Sequence, residues 1–236
     1  MHDALLRRDA LIRQELAALP ADALVVNVGC GLLRRFEAEC SPRYLTTDLR
    51  MLDSVDFVAD ASRLPLADDS VDALIVLEML EHVPDPLGVV RELARVLKPG
   101  GTIFLSVPSA VPRHDYHDYW RFTAQGLEAM GATSFVDGTV HVFGGTFEAI
   151  GHLAAYYVSL LLHVARVPGR TYRQFFPTVG RAIDERAEWT TSTTALHTIA
   201  FDLLFIGRGP DGPVAGARPR NGADGAAPAA TTTPAP

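Results

Sequence analysis

Short apolar runs alternate with helical segments along most of this chain. The apolar runs predict strands, and they lie at 23–28, 43–47, 55–59, 73–77, 102–107, 135–142 and 199–206. Residues 3–19 carry Leu5, Ile12 and Leu16 at helical spacing and end at Pro20, which predicts an amphipathic helix. Because continuous apolar runs between helices are typical of parallel strands covered on both faces, the pattern predicts an α/β fold.

The spacing of these runs also predicts how they are connected. Only about eight residues separate the second and third strands, fewer than a helical crossover needs, so we expect an irregular connection there. Asp85 followed by Pro86 predicts the start of a helix after the fourth strand. The sequence KPGG at 98–101 predicts the end of that helix.

The predicted elements divide the chain into three parts. We expect an N-terminal helix at 1–22, one domain at 23–207 with a helical insertion at 143–195, and a tail at 208–236. The tail contains a single aliphatic side chain larger than alanine, Val214. It cannot bury enough apolar surface to offset the entropy of ordering it, so we expect it to be disordered.

Residues 147–167 form a strongly apolar segment that is long enough to span a bilayer. Glu148, His152, His163 and Arg166 interrupt it, and it falls between two strands of one domain, which argues against a membrane span. We expect it to pack on the fold, to line the acceptor pocket or to form a homodimer contact. Docking on a membrane surface is the alternative.

Composition and charge narrow the class of protein. The chain has 236 residues, of which 48% are hydrophobic, enough for one sizeable core. Its net charge of −7 argues against a nucleic-acid partner, which would need a basic face. The N-terminus lacks the continuous apolar stretch of a signal peptide, and Cys30 and Cys40 fit no disulfide framework or metal site. We therefore expect a cytoplasmic protein.

A glycine turn follows the first strand, in VVNVGCG at 25–31. Gly29 and Gly31 would let the backbone approach a ligand closely, at the N-terminus of the next helix. Asp48 ends the second strand, where a carboxylate can accept hydrogen bonds from ribose hydroxyls. On these residues alone, an ordinary tight turn between a strand and a helix remains an alternative.

The stretch at 57–101 is more specific. It reads FVADASRLPLADDSVDALIVLEMLEHVPDPLGVVRELARVLKPGG and resembles the core of class I S-adenosylmethionine (SAM)-dependent methyltransferases of the type 11 group. The resemblance covers about residues 24–130. It implies a Rossmann-like class I methyltransferase fold, with a seven-stranded, mainly parallel sheet, an antiparallel last strand, helices on both faces and a helical insertion before the last strand.

The resemblance also implies a set of cofactor-binding residues. The methionine part of SAM would lie on Gly29, Cys30 and Gly31, its ribose on Asp48, and its adenine near Asp60 and Ala61. Asn27 and Glu78 complete the predicted set. Asn27 stands where the family usually has an acid, and it lacks the charge that would attract the cationic end of SAM.

A Glu/His cluster follows the fourth strand. EMLEHVPDP at 78–86 resembles ubiquinone-biosynthesis O-methyltransferases, and Glu-x-x-Glu-His also resembles the metal site of small-RNA 2′-O-methyltransferases. Both families place another histidine after strand five, where this chain has His117. The resemblance thus implies a site for Mg²⁺, Mn²⁺ or Zn²⁺ on Glu78, Glu81, His82 and His117.

Two other interpretations of the cluster stay open. His82 or His117 can serve as the general base for a hydroxyl acceptor, but a metal-bound imidazole cannot, so the two roles compete. Alternatively, Glu81 and Asp85 only favour the start of the following helix while His82 packs beneath it.

The expected function is SAM-dependent methylation of a small molecule, at a hydroxyl, in secondary-metabolite, quinone, saccharide or lipid biosynthesis. The alternatives are a non-catalytic partner protein with this fold, a small-RNA 2′-O-methyltransferase and an NAD-dependent oxidoreductase.

Overall fold

The computed structural model describes residues 2–40, 43–164 and 202–212, and these residues form a seven-stranded sheet. Its strands are β1 (Val25–Val28), β2 (Tyr44–Asp48), β3 (Phe57–Val58), β4 (Val71–Leu77), β5 (Leu97–Pro108), β6 (Val136–Phe143) and β7 (Asp202–Arg208). Their order is β3-β2-β1-β4-β5-β7-β6. Strands β1 to β5 are parallel, and β7 runs antiparallel to β5 and β6. The predicted fold class is therefore confirmed.

Helices cover both faces of the sheet. They are α1 (His2–Leu16), α2 (Pro86–Val96), α3 (Ala124–Ala132) and α4 (Thr146–Val164). Leu93 of α2 and Leu127 of α3 are fully buried in the core on one face, and Ile12 of α1 is fully buried in the core on the other. Burying a side chain of this size stabilises the fold by about 1.5–3 kcal/mol, so α1 is packed as firmly as the other helices.

The start of α2 has the predicted cap, but its end differs from the prediction. Asp85 Oδ1 accepts a 2.9 Å hydrogen bond from Gly88 N, with Pro86 as the first helical residue. The helix ends at Val96, and KPGG belongs to β5. Leu97 already pairs with Val71, while the next pair joins Ala73 to Thr102, so residues 98–101 bulge out of the ladder. The prediction that KPGG ends the helix was wrong because the turn to β5 comes earlier.

The connection after β1 also differs from the prediction. Residues 29–40 contain no α-helix, only a 3₁₀ turn at Glu37–Glu39, so the expected helix after the glycine turn is wrong. Phe36 has a φ of 65°, which an α-helix does not accommodate. Arg34 Nη1 holds the connection in place through a 3.0 Å hydrogen bond to Thr46 Oγ1. The irregular connection between β2 and β3 is confirmed, because residues 49–56 contain no helix.

The structure describes only part of the two remaining segments. Of the predicted insertion at 143–195 it shows the end of β6 and α4, and residues 165–201 lie outside the described ranges. Of the predicted tail it describes residues 208–212 only. None of the helices in the described ranges is long and apolar enough to cross a membrane.

Candidate cofactor and acceptor site

The glycine turn after β1 has the backbone conformation that only glycine adopts easily. Gly29 and Gly31 have φ values of 72° and 58°. A Cβ on Gly29 would lie 2.5 Å from Met79 Cγ, so the turn fits closely against the residues that follow β4. A Cβ on Gly31 would meet nothing within 4 Å. Gly31 therefore borders open space that a side chain would fill.

The turn is fixed to the end of β2. The N–H groups of Gly29 and Cys30 both donate to the carbonyl oxygen of Thr47, at 2.8 and 3.1 Å. Asp48 Oδ2 accepts from Gly31 N at 3.0 Å, and Oδ1 accepts from Arg50 N at 3.0 Å. The predicted ribose acid and the predicted methionine turn are thus in direct contact.

The other predicted cofactor residues lie at the same edge of the sheet, with one exception. Asp60 is exposed just after β3, with its carboxylate accepting from Ser62 N at 2.8 Å, and Ala61 beside it is half-buried. Asn27 is buried in β1, and its Nδ2 donates to Tyr44 Oη at 2.9 Å. The carboxamide of Asn27 is therefore engaged with the core on the α1 side.

Glu78 directly follows β4 and has a left-handed backbone, with a φ of 51°. Its Oε1 accepts from Ser106 Oγ at 2.7 Å and from Arg8 Nη1 at 3.2 Å. Arg8 is fully buried and also donates to Asp202 Oδ2 at 2.9 Å. Sequence reasoning missed Arg8, Ser106 and Asp202.

One signal in the sequence points to Arg8. Ala4, Arg8, Ile12 and Leu16 are spaced four residues apart, and all four are buried on one stripe of α1. A charged residue in the middle of a buried stripe needs a partner of opposite charge in the core. The positions of Ser106 and Asp202 carry no comparable signal.

Glu81 lies in a 3₁₀ turn at Leu80–His82, directly after β4, and is completely buried. Neither of its carboxylate oxygens has a hydrogen-bond partner among the described residues. Burial, and then the negative charge of Glu78, raise the pKa of Glu81 to about 8. A buried carboxyl group without a donor is costly unless it is protonated or binds a cation.

Two histidines lie next to this carboxyl group. His82 Nε2 is 3.5 Å from Glu81 Oε1, and the His114 ring packs edge-on to the His82 ring with centroids 5.2 Å apart. One ligand atom each from Glu81, His82 and His114 fall within 4.8 Å of one another. Three nitrogen and oxygen donors at this spacing are suited to a divalent transition metal such as Zn²⁺ or Mn²⁺.

The set of four predicted metal ligands is only partly brought together. Glu81 and His82 are adjacent, whereas Glu78 faces Arg8. The carbonyl oxygen of His117 lies 2.5 Å from His82 Nδ1, while the His117 ring lies against Tyr119, with its Nδ1 3.0 Å from the hydroxyl. The loop therefore turns the backbone carbonyl of His117 toward His82. The imidazole that lies next to His82 is that of His114, where the sequence predicted that of His117. The presence of His114, three residues before His117 in RHDYHDYW, was the only sequence signal for this exchange.

Backbone contacts hold this loop over the turn after β4. Tyr119 N donates to the Glu81 carbonyl at 2.7 Å, and Trp120 Nε1 donates to the Val83 carbonyl at 2.9 Å. Arg121 pairs with the buried carboxylate of Asp118 and holds the pKa of that group well below its usual range. The backbone of the turn that carries Glu81 and His82 is thus held by the loop, while the rings of Tyr116 and Tyr119 stay exposed.

The glycine turn, Asp48, Asp60 and the Glu81–His82–His114 cluster all follow the carboxyl ends of parallel strands. Ligands of open α/β sheets bind at this edge. The strand edge thus offers a polar cradle on the β1–β3 side and a group of imidazole and carboxyl donors on the β4–β5 side. This arrangement can hold a nucleoside-like cofactor next to an acceptor.

Comparison with known proteins agrees with this arrangement. The family described as a methyltransferase domain, of the type 11 group, matches residues 12–105. The chain is 33% identical over 102 residues to the ubiquinone biosynthesis O-methyltransferase of Xanthomonas campestris, a match that covers 43% of this chain and 40% of that protein. The chain thus spans less than half the length of this relative. Residues 12–105 thus match a type 11 methyltransferase domain, in agreement with the resemblance of the sequence motifs to class I SAM-dependent methyltransferases.

Solved structures share the fold. Phosphoethanolamine N-methyltransferase 2 of Haemonchus contortus, determined in complex with SAM, is 12% identical with a TM-score of 0.55 over 86% of this chain and 52% of that one. The [4+2]-cyclase SpnF is 20% identical with a TM-score of 0.53 over 86% of this chain and 81% of that one. Proteins named for different activities thus share this fold, so the fold alone does not define the acceptor.

Proposed function

We propose that this protein transfers the methyl group of SAM to a hydroxyl of a small-molecule acceptor in secondary-metabolite, quinone, saccharide or lipid biosynthesis. The observation that carries the proposal is the contact between the two halves of the site. Met79 packs against Gly29 of the glycine turn, and two residues later Glu81 is the first residue of the Glu81–His82–His114 cluster. The O-methyltransferase relatives and the net charge of −7 support a small-molecule hydroxyl rather than a nucleic acid.

The residues of the cradle fit SAM. The open space at Gly31 accommodates the methionine part, the Asp48 carboxylate keeps lone pairs for ribose hydroxyls, and Asp60 can accept from the adenine amino group. SAM supplies an electrophilic methyl group on a good leaving group. Most of the acceleration then comes from holding the acceptor in line with that methyl group.

For a hydroxyl acceptor, His82 is the first candidate for the base. Its Nδ1 faces the carbonyl oxygen of His117, and a carbonyl oxygen can only accept, so Nδ1 carries the proton. Nε2 is left with a lone pair that can take the proton of the acceptor. His117 is the second candidate, since its ring is exposed beside Tyr119.

A divalent metal is a second candidate for the same step, and a specific observation favours it. Among the residues that the structure describes, no donor reaches the two buried oxygens of Glu81, and His82 and His114 place nitrogens beside them. Glu81, His82 and His114 would hold the ion. When bound, such an ion lowers the pKa of a coordinated hydroxyl.

An acceptor screen with labelled SAM tests the proposal, using catechols and diols against matched monohydroxyl compounds. Under the metal mechanism, chelator abolishes transfer, a divalent cation restores it, and His114→Ala is inactive while His117→Ala is active. Under the His82 base mechanism, chelator has no effect, His114→Ala is active and His82→Ala is inactive.

Two other results would overturn the proposal. A folded protein that binds SAM but methylates no hydroxyl of any class in the screen would be a non-catalytic protein of this fold. A protein that binds NAD and not SAM would be an oxidoreductase.

A further inference from the structure

A completely buried guanidinium group lies beneath the carboxyl edge of the sheet. Arg8 Nη1 contacts Glu78 Oε1, Ser106 Oγ and Asp202 Oδ2 at 3.2, 3.1 and 2.9 Å, and its other nitrogens contact Asp9. These partners come from α1, the end of β4, β5 and β7. Burying an ion pair rarely adds stability relative to apolar packing, so such a network points to a role in specifying an arrangement.

The three carboxylates around Arg8 lie in different surroundings. Asp9 is paired with Arg35 as well as with Arg8. Burial, and then the negative charge of Glu78, raise the pKa of Asp202 well above its ordinary value. Glu78 lies at the sheet edge, directly after β4.

Glu78 is the member of this network that reaches the cofactor side. The side chain of Glu78 is 36% exposed, whereas that of Asp202 is 1% exposed. Glu78 is followed by Met79, which contacts Gly29 of the cofactor turn. Its left-handed backbone is strained for a residue with a side chain, and such strain persists only where the surroundings hold it.

Asn27 brings no negative charge to the proposed cofactor site. SAM carries a positively charged ammonium and sulfonium at its methionine end, and the carboxamide of Asn27 is neutral and bonded to Tyr44. Glu78 lies one strand away from Asn27, because β1 and β4 are paired.

We propose that Arg8 is a positioning residue that holds Glu78 toward the cationic methionine end of SAM, so that Glu78 supplies the charge that Asn27 does not. The N-terminal helix is then part of the cofactor site. The inference rests on the proposed function only as far as SAM binding, and does not depend on the acceptor.

Binding of two probes to the full chain tests the inference. SAM carries the cationic end, and adenosine lacks it but uses the same Asp48 and Asp60 contacts. Arg8→Met should weaken SAM binding by about tenfold or more, the scale of one hydrogen bond to a charged group, and leave adenosine binding unchanged. Arg13→Met is the matched control, because Arg13 lies on the same helix and pairs with Glu39, away from the site. This control should leave both affinities unchanged.

Three further variants keep the test decisive if Arg8→Met does not fold. Ser106→Ala removes one donor from Glu78 and should weaken SAM by roughly two- to tenfold, again without affecting adenosine. Glu78→Gln should weaken SAM binding as much as Arg8→Met does. The double variant that also carries Ser106→Ala should bind SAM no more weakly than Glu78→Gln alone. Arg8→Lys should recover part of the SAM affinity that Arg8→Met loses, since lysine restores the positive charge but not the planar set of guanidinium N–H donors.

The outcomes separate the inference from the proposed function. Equal loss of SAM and adenosine binding, or full SAM affinity in Ser106→Ala and Glu78→Gln, would overturn the positioning role while leaving SAM binding intact. Failure of the wild-type protein to bind SAM at all would overturn the proposed function instead.

Discussion

The backbone N–H of Gly31 donates a 3.0 Å hydrogen bond to Oδ2 of Asp48, and so joins the glycine turn after β1 to the acid that ends β2. The Asp48 side chain is 11% exposed, so this carboxylate is already ordered before any ligand binds. Ordering in advance reduces the entropy lost on binding. Asp48 thus holds the turn and is placed where the proposed cofactor would meet it.

We predict that Asp48→Ala weakens SAM and S-adenosylhomocysteine binding by about 1–3 kcal/mol, because ribose hydroxyls lose a charged acceptor and the Gly31 N–H loses its partner. Titration calorimetry measures this. Asp53→Ala is the control, since Asp53 is an exposed carboxylate in the connection that follows β2. Unchanged affinity in Asp48→Ala would mean that the cofactor does not use this acid.

A second prediction separates the space at Gly31 from its backbone strain. Gly31 and Gly100 have φ values of 58° and 70°, and a Cβ on either would meet nothing within 4 Å. Alanine at either position should therefore cost a similar roughly 1–2 kcal/mol of unfolding free energy, measured by chemical denaturation. Only Gly31→Ala should also weaken SAM binding, because its methyl group occupies the cradle. Equal SAM affinity in the two variants would place the cofactor elsewhere.

The third prediction follows from the pKa of Glu81, which burial raises from 4.5 to about 8. Between pH 4.5 and about 8, the Glu81 carboxyl group therefore binds more protons in the folded chain than in the unfolded chain. The contribution of this proton to the free energy of unfolding is fully present below pH 4.5 and is lost as the pH rises to about 8. In metal-free buffer, Glu81→Gln should gain stability relative to wild type between pH 5 and pH 8. The gain should exceed about 1.4 kcal/mol, the equivalent of one pKa unit.

Chemical denaturation at the two pH values measures this difference. Glu128→Gln is the control, because Glu128 is exposed on α3 and should show no pH-dependent difference from wild type. A parallel loss of stability in wild type and Glu81→Gln would show that Glu81 titrates normally.

The fourth prediction concerns the C-terminal boundary. Gly209 N donates to the Gly101 carbonyl at 2.9 Å, and Gly100 N donates to the Gly209 carbonyl at 3.0 Å. Truncation after Gly212 should therefore leave the melting temperature and the SAM affinity nearly unchanged, because residues 213–236 contain little to bury. Truncation after Arg208 should lower the melting temperature by a few degrees, since both hydrogen bonds are lost. Thermal melts of the two truncated chains and of the full chain measure the difference. A drop of several degrees in the chain that ends at Gly212 would contradict the prediction.

The cofactor cradle was the part of the site that local sequence described best. The glycine turn, Asp48 and Asp60 each follow an apolar strand, and parallel strands bring their carboxyl ends to one edge. The order of the apolar runs therefore places these residues together without knowledge of any side-chain contact. The connections were harder to predict, because the left-handed Phe36 and the Arg34 hydrogen bonds that replace a helix after β1 leave no periodic pattern.

The Glu/His cluster shows where local reasoning fails. The motif identified Glu81 and His82, which are neighbours in the chain and lie in one turn. Whether His114 or His117 joins them depends on how the loop after β5 folds, and Tyr119 and Trp120 decide this by bonding to carbonyl groups after β4. The spacing of the two histidines carries no information about that docking.

The sequence by itself determined the α/β class, the parallel strands and the positions of the glycine turn and the acids at the strand ends, because periodicity and turn residues act over a few neighbours in the chain. Only the tertiary structure decided that Arg8, Glu78 and Asp202 form one network. These residues are distant in sequence, and an ion pair in the core forms only when packing removes water from both partners.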